Sequence, residues 1–288
     1  MDTTLLSILL GIGGMVGWGI YDFLGSVFSK QIGSFKSLFW SQLAGLISIF
    51  LLALWLKADM VISSTAILAA IAAIVYSVGY LFFFKGFEKG NVPIIAATMN
   101  LWTVFTMFFA FVLMGQRLTA TQSIGVLLII AGTTLASIDW GRIRHQKPQL
   151  SLGIKEAILG AFFFGIFWNI SEIISEDIGW LSTTLLVKLG IVIFLLIFAF
   201  AKRQTLGRLN SSAKAKAVIL LMGAIEVGAV SLVNYGLTIG DAILITPIAS
   251  ALSIVTIMLA IVFLKDRVSK PQGLGIVMAI VGIVTTTI

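Results

Sequence analysis

Apolar residues run along this chain in unbroken blocks, not in alternation with polar ones. About 20 apolar residues are what an α-helix needs to cross a bilayer, and about ten stretches meet that length. They cover 3–29, 37–56, 63–87, 91–114, 119–138, 152–175, 179–200, 215–237, 241–264 and 271–288. The blocks are continuous, so the alternating pattern of a β-barrel is excluded. Pro93 and Pro271 fall near the starts of their stretches, where a missing N–H costs little. The first stretch lacks a basic lead, runs too long and shows no small-residue cleavage site, so it reads as a span and not as a cleaved signal peptide.

The polar connections between blocks differ in charge. Those after the first, third, fifth, seventh and ninth stretches hold sixteen Lys and Arg, among them Lys85, Lys89, Arg142, Arg144, Lys202 and Arg203. The alternate connections hold two, Lys57 and Arg117. Basic connections stay in the cytoplasm, which places both termini outside.

Composition narrows the class further. Of 288 residues, 59% are apolar and 11% charged, against about 25% charged in a soluble domain. Mean hydropathy is +1.10. A water-soluble enzyme and a disordered chain are both excluded. There is no cysteine, and the single histidine, His145, sits in a polar connection. No thiolate site, zinc or haem site, or Ser/His/Asp set can be assembled, so no metal and no cofactor are expected. No Gly-rich phosphate loop followed by Lys-Ser/Thr occurs, so ATP hydrolysis is unsupported. The net charge of +7 is accounted for by topology and anionic lipid, without nucleic acid.

The chain also matches itself at an offset of 150 residues. Gly90 pairs with Gly240, Arg117 with Arg267, Gln122 with Gln272, Gly125 with Gly275, and Gly132 with Gly282. Trp18 pairs with Trp168 and Asp22 with Glu172. The expected organisation is a first repeat at 1–138, a basic connection at 139–151 and a second repeat at 152–288. Five stretches per half is an odd number, so the second half enters the membrane in the opposite sense. Inverted repeats of this kind characterise secondary transporters, where two halves rock about a midplane site.

The run Gly14-Met15-Val16-Gly17-Trp18-Gly19, together with the repeat ends Gly115-Gln116-Arg117-Leu118 and Lys265-Asp266-Arg267-Val268, resembles the drug/metabolite transporter superfamily and its EamA-type ten-helix members. The resemblance covers essentially the whole chain. It implies an all-α membrane protein of ten helices, with a central cavity lined by spans 1, 3, 4, 6, 8 and 9. The family pattern carries Gly-Glu-Arg at the repeat ends. Here Gln116 and Asp266 replace the Glu, and Lys265 replaces the second Gly. The family also implies cytoplasmic termini, which the charge bias contradicts.

A charge at the bilayer centre costs several kcal/mol and is a functional candidate by default. Glu226 and Lys188 lie near the middles of the eighth and seventh stretches. They read either as a structural ion pair or as a site where Glu226 holds an amine or proton and Lys188 a carboxylate. Asp22 and Glu172 read either as alternating gate carboxylates or as hydrated helix ends. Trp18 and Trp168 share a face with them at four-residue spacing. Tyr76, Tyr80, Trp102 and Tyr235 suit a cavity wall for a cation or planar solute, or the interfacial belt to which Trp40 and Trp55 are assigned. Asn100 and Asn234 read as interhelical glue, with Asn100 also a candidate for contact with the solute. Glu176, Asp177, Lys85 and Lys89 read as solvated or snorkelling residues.

The reading that follows is a multi-pass carrier of the plasma membrane, monomer or homodimer. It moves a small polar, amino-acid-like metabolite by alternating access, with protons as one coupling option. A facilitative pore would need a continuous polar stripe, and a lipid-modifying enzyme a catalytic cluster. Neither is visible.

Overall fold

The structure, a computed structural model, describes residues 3–32, 34–61, 63–89, 95, 98–138, 153–206, 212–265 and 268–287. Among the described residues every regular element is helical. The first half holds α1 (Thr3–Ile32), α2 (Ser34–Trp55), α3 (Ala66–Lys89), α4 (Leu101–Leu113) and α5 (Ala120–Ser137). Then come α6 (Ile154–Ala201), α7 (Ala213–Leu237), α8 (Ala242–Ser250), α9 (Leu252–Leu259), a π turn at Ala260–Leu264, and α10 (Lys270–Thr286).

Six helical segments among the described residues are long and apolar enough to cross a membrane, and three further apolar helices are shorter. Their outward side chains are those of a lipid-facing surface: Trp55 is 78% exposed and Phe200 89%. Water would not tolerate so large an apolar area.

The stretches expected at 152–175 and 179–200 form one 48-residue element, α6. A straight helix of that length would reach about 72 Å, more than twice the ~30 Å hydrocarbon core. Gly179 breaks it, with φ 78° and ψ 158°, a region open to glycine alone. The ninth stretch is likewise broken. Pro247 lies inside α8, the chain steps between Ser250 and Leu252, and the π turn follows α9. Pro93, His145, Arg142, Arg144, Lys147, Arg208, Asp266 and Arg267 lie outside the described residues.

Residues in equivalent positions of the two repeats make exchanged contacts across the halves. A Cβ on Gly125 would stand 2.7 Å from the Gly282 carbonyl oxygen, and one on Gly282 2.6 Å from that of Gly125. Gly132 and Gly275 show the same exchange at 2.6 Å each way. These glycines let α5 and α10 touch backbone to backbone. The Asn169 amide donates to the Thr106 carbonyl at 3.1 Å, while Thr256 donates to the Gly19 carbonyl at 3.1 Å. Such exchanged contacts arise when two halves are related by a two-fold rotation.

Local chemistry repeats too. The α5 and α10 helices each open on a capping box, Thr119 with Gln122 and Ser269 with Gln272, which satisfies two orphan N–H groups at each start. Just ahead, Gly115 has φ 72° and Lys265 φ 58°. Lys265 thus adopts the left-handed turn without glycine, at a cost of about 1–2 kcal/mol. The Gly14–Gly19 run works by close approach. A Cβ on Gly14 would lie 2.4 Å from Val233 Cγ2, and one on Gly19 2.4 Å from Val255 Cβ. Side chains there would push α1 away from α7 and α9.

Candidate functional site

Four helices converge on one buried charge cluster. The α2 and α7 backbones touch at Gly223, where a Cβ would lie 2.3 Å from the Ser41 carbonyl oxygen. That contact brings Gln42 of α2 beside Glu226 of α7. Gly45 belongs to the same backbone contact, since a Cβ there would sit 3.0 Å from the Gly223 carbonyl oxygen, and it lies beside the Glu226 carboxylate. Lys188, from the 180–201 limb of α6, makes a hydrogen-bonded ion pair with Glu226 Oε2. Its Nζ also donates to Gln42 Oε1 at 2.6 Å. Tyr76 of α3 donates to Glu226 Oε1 at 3.0 Å. Lys188 is 1% exposed and Glu226 and Gln42 are 0%.

Two charges are costly to remove from water, several kcal/mol each, and only near-ideal geometry repays it. Here each charge has a second hydrogen-bond partner. Gln42 Nε2 has none, although it is buried. The cluster therefore keeps one unused donor beside a paired ammonium and carboxylate.

Aromatic rings pack around it. Tyr76 lies 4.8 Å from Phe167 and 4.9 Å from Tyr80, with the two tyrosine hydroxyls 3.4 Å apart. Lys188 Nζ is 5.7 Å from the Tyr76 ring centroid, within cation–π range. Trp168 lies edge-on to Trp18 at 5.4 Å and 6.2 Å from Trp102. Tyr76 with Glu226 and Trp18 with Trp168 are both pairs offset by 150 residues, so the cluster straddles the two-fold relation. The tyrosine hydroxyl answers the carboxylate that the other half carries in its place.

A second cluster closes one end. Glu172, on the limb of α6 before Gly179, is 0% exposed. Its Oε1 accepts from the Gln116 amide at 2.7 Å and from the Ala242 backbone N–H at 3.0 Å. Gln116 Oε1 in turn accepts from the Ile243 N–H at 3.1 Å. Two orphan donors at the start of α8 are satisfied this way, and the corner between α4 and α5, α6 and α8 are tied together. Glu172 is thus no hydrated helix end. Its mate Asp22 is exposed.

Other expected residues fall elsewhere. Asn100 donates to Ser137 at 3.2 Å. Asn234 receives from Ser171 and donates to Thr184, each at 2.9 Å. Tyr235 is 40% exposed and lies on Trp180, beside an apolar cleft of about 430 Å³ between α2 and α7 that does not include Glu226. Three residues depart from expectation. Asp177 is not merely solvated, because the Ser63 and Thr65 hydroxyls donate to it. Lys89 pairs with Glu156. Trp40 is no belt residue: its ring packs edge-on to Phe39 and its indole N–H is enclosed without a partner.

Gln42 and Gln116 were not singled out as site residues. An amide inside an apolar block is a weaker form of the signal that marks an intramembrane charge, and that signal was present at Gln42.

A solved crystal structure at 14% identity superposes with a TM-score of 0.80, covering 98% of this chain and 96% of that one. It shows the fold. An uncharacterized protein of Methanocaldococcus jannaschii is 28% identical over 133 residues, 46% of this chain and 93% of that protein. The family model for EamA-like transporters matches twice, over residues 5–138 and 151–288. The two matches leave only the extreme N-terminus and the basic connection uncovered, and the chain belongs to the EamA-like transporter family.

Proposed function

We propose that this chain is a secondary active transporter that carries a small polar solute by alternating access, with ten spans in two inverted five-span halves. The observation that carries the reading is the unlike state of two residues in equivalent positions. Glu172 is sealed and hydrogen-bonded to two other segments of chain, at Gln116 and Ala242, while Asp22 is exposed. Halves of equal build held in different states are what a carrier needs in order to face one side at a time. The sealed end carries the connections poor in Lys and Arg, and the exposed end the basic ones. A relative with about the length of one half supports the repeat as the unit of the fold.

The solute meets the Lys188–Glu226 cluster between these ends. An ammonium and a carboxylate already paired, with the Tyr76 hydroxyl and Gln42 amide at hand, suit an amino-acid-like solute. Its own carboxylate and amine exchange partners with the pair, so the site is neutral both empty and filled. Isolated polar positions in place of a continuous stripe favour a carrier over a pore.

The test is counterflow in proteoliposomes, after a thermal-shift screen of amino acids, sugars, nucleobases and organic cations has identified a solute. Trans-stimulation is expected in the native protein, and the variant Lys188→Met/Glu226→Leu should have none while remaining monodisperse. Flux without trans-stimulation refutes the carrier. Full counterflow in the double variant refutes the site.

A further inference from the structure

Glu172 is a buried acid without a counter-ion. It is 0% exposed, its Oε1 takes two hydrogen bonds, and its Oε2 has no partner. The charged groups around it do not compensate. Glu176 lies one turn further along α6, and Asp241 stands just ahead of α8. Arg117, on the α4–α5 corner, directs its guanidinium to the carbonyls of Phe111 and Gln116 and over the Phe111 ring. From α7, Tyr235 turns to Trp180, and the connection after α2 meets Asp177 through hydroxyls only. Among the described residues no cation pairs with Glu172.

Glu226 shows the contrast, with one oxygen on Lys188 and the other on Tyr76. A buried carboxylate without such a partner is among the costliest groups in a protein. The dipole at the α8 N-terminus recovers only a fraction of that cost. A neutral carboxyl group fits the geometry: Oε1, as carbonyl oxygen, accepts from both donors, and Oε2 carries the proton. Only the one hydrogen bond that the Oε2–H could donate then goes unmade.

We propose that Glu172 is a proton-binding site whose occupancy is tied to the closure of this end of the protein. With Gln116 and α8 bonded to it, the proton sits on Oε2. When they separate and water enters, the O–H bond breaks, the proton passes to water, and a hydrated carboxylate remains. Proton uptake thus closes this end and release opens it, which gives the alternating-access reading, on which this rests, its coupling ion.

The chain contains no cysteine, so Ser175→Cys places a single thiol one turn from Glu172, at a position 1% exposed. Its reaction with a membrane-impermeant thiol reagent is measured in detergent and normalised to the same thiol in unfolded protein at each pH. Going from about pH 5 to about pH 9 should raise the normalised rate at least about tenfold, because a proton shifts the equilibrium by its differential affinity for the two states. With Glu172→Gln added, the rate should stay slow and flat. A flat parent profile, or the same profile in both proteins, overturns the proposal. Infrared difference spectra between the two pH values give an independent readout in the Cys-free protein. Subtracting the Glu172→Gln spectrum from that of the parent should leave one carbonyl band of a protonated carboxyl at low pH, and identical carbonyl regions in the two proteins also overturn the proposal. Neither readout needs a solute. Flat profiles with intact counterflow remove the proton site and leave the carrier, whereas lost counterflow with a pH-dependent gate does the reverse.

Discussion

Removing one member of the Lys188–Glu226 pair should destabilise the protein far more than removing both. Glu226→Gln leaves the Lys188 ammonium 1% exposed with the Gln42 carbonyl oxygen as its remaining strong partner. Lys188→Met leaves the Glu226 carboxylate with only the Tyr76 hydroxyl. Breaking a buried pair from either side costs about 3–5 kcal/mol. At about 2–4 °C per kcal/mol for a chain of this size, each single variant should lose roughly 6–20 °C in thermal midpoint. In Lys188→Met/Glu226→Leu no charge is left. What remains is the Gln42 carbonyl oxygen without a partner, at about 1–3 kcal/mol, and the Tyr76 hydroxyl, which keeps only the long contact to Tyr80 at 3.4 Å. Against them stands the relief of two desolvated ions, about 1–4 kcal/mol in comparable replacements. The double variant should therefore recover most of the loss, with a coupling energy above about 3 kcal/mol in the double-mutant cycle. The assay is thermal unfolding in detergent, followed by tryptophan fluorescence and by the loss of the monodisperse elution peak. If the double variant loses the sum of the two single losses, the groups do not act as a pair and the reasoning fails.

Two further predictions use helix packing and topology. Gly132→Ala should destabilise by about 1–3 kcal/mol, because its Cβ meets the Ala279 nitrogen at 2.5 Å and the Gly275 oxygen at 2.6 Å, and backbone cannot give way. Gly228→Ala, with nothing within 4 Å, should be neutral or stabilise by up to about 1 kcal/mol through helix propensity; equal losses at both positions in the same unfolding assay would refute the packing account. A C-terminal reporter should be active only if it is one that works outside the cytoplasm, as the charge bias of the connections requires; activity of a reporter that works only in the cytoplasm would reverse the orientation.

The helical spans and the repeat were legible because they rest on residue type alone. A bilayer demands long apolar blocks, and helix contact demands glycine, so Gly125, Gly132, Gly275 and Gly282 kept a common register. The halves of the ion pair were visible as two intramembrane charges of opposite sign. That they touch was not visible, since contact depends on the side on which α2, α6 and α7 meet, and those faces are nearly uniformly apolar. The Gln116–Glu172–Ile243 network was hidden for another reason. It joins residues far apart in the chain, and two of its three donors are backbone N–H groups that no residue name reveals. Trp40 was misplaced because a tryptophan near a helix end looks the same whether it faces headgroups or turns inward onto Phe39.

Tyr76 and Glu226 hold equivalent positions and bond to one another across the two-fold relation. In a pair of identical half-length chains, a residue on that axis would have to face its own copy. Tyrosine would meet tyrosine, or two carboxylates would be forced together away from water. When both halves share one chain the two copies are free to differ, one supplying a donor and the other an acceptor. Joining the halves covalently thus did more than raise their effective concentration. It released the axis from self-complementarity, and the asymmetric chemistry at the centre of this protein depends on that release.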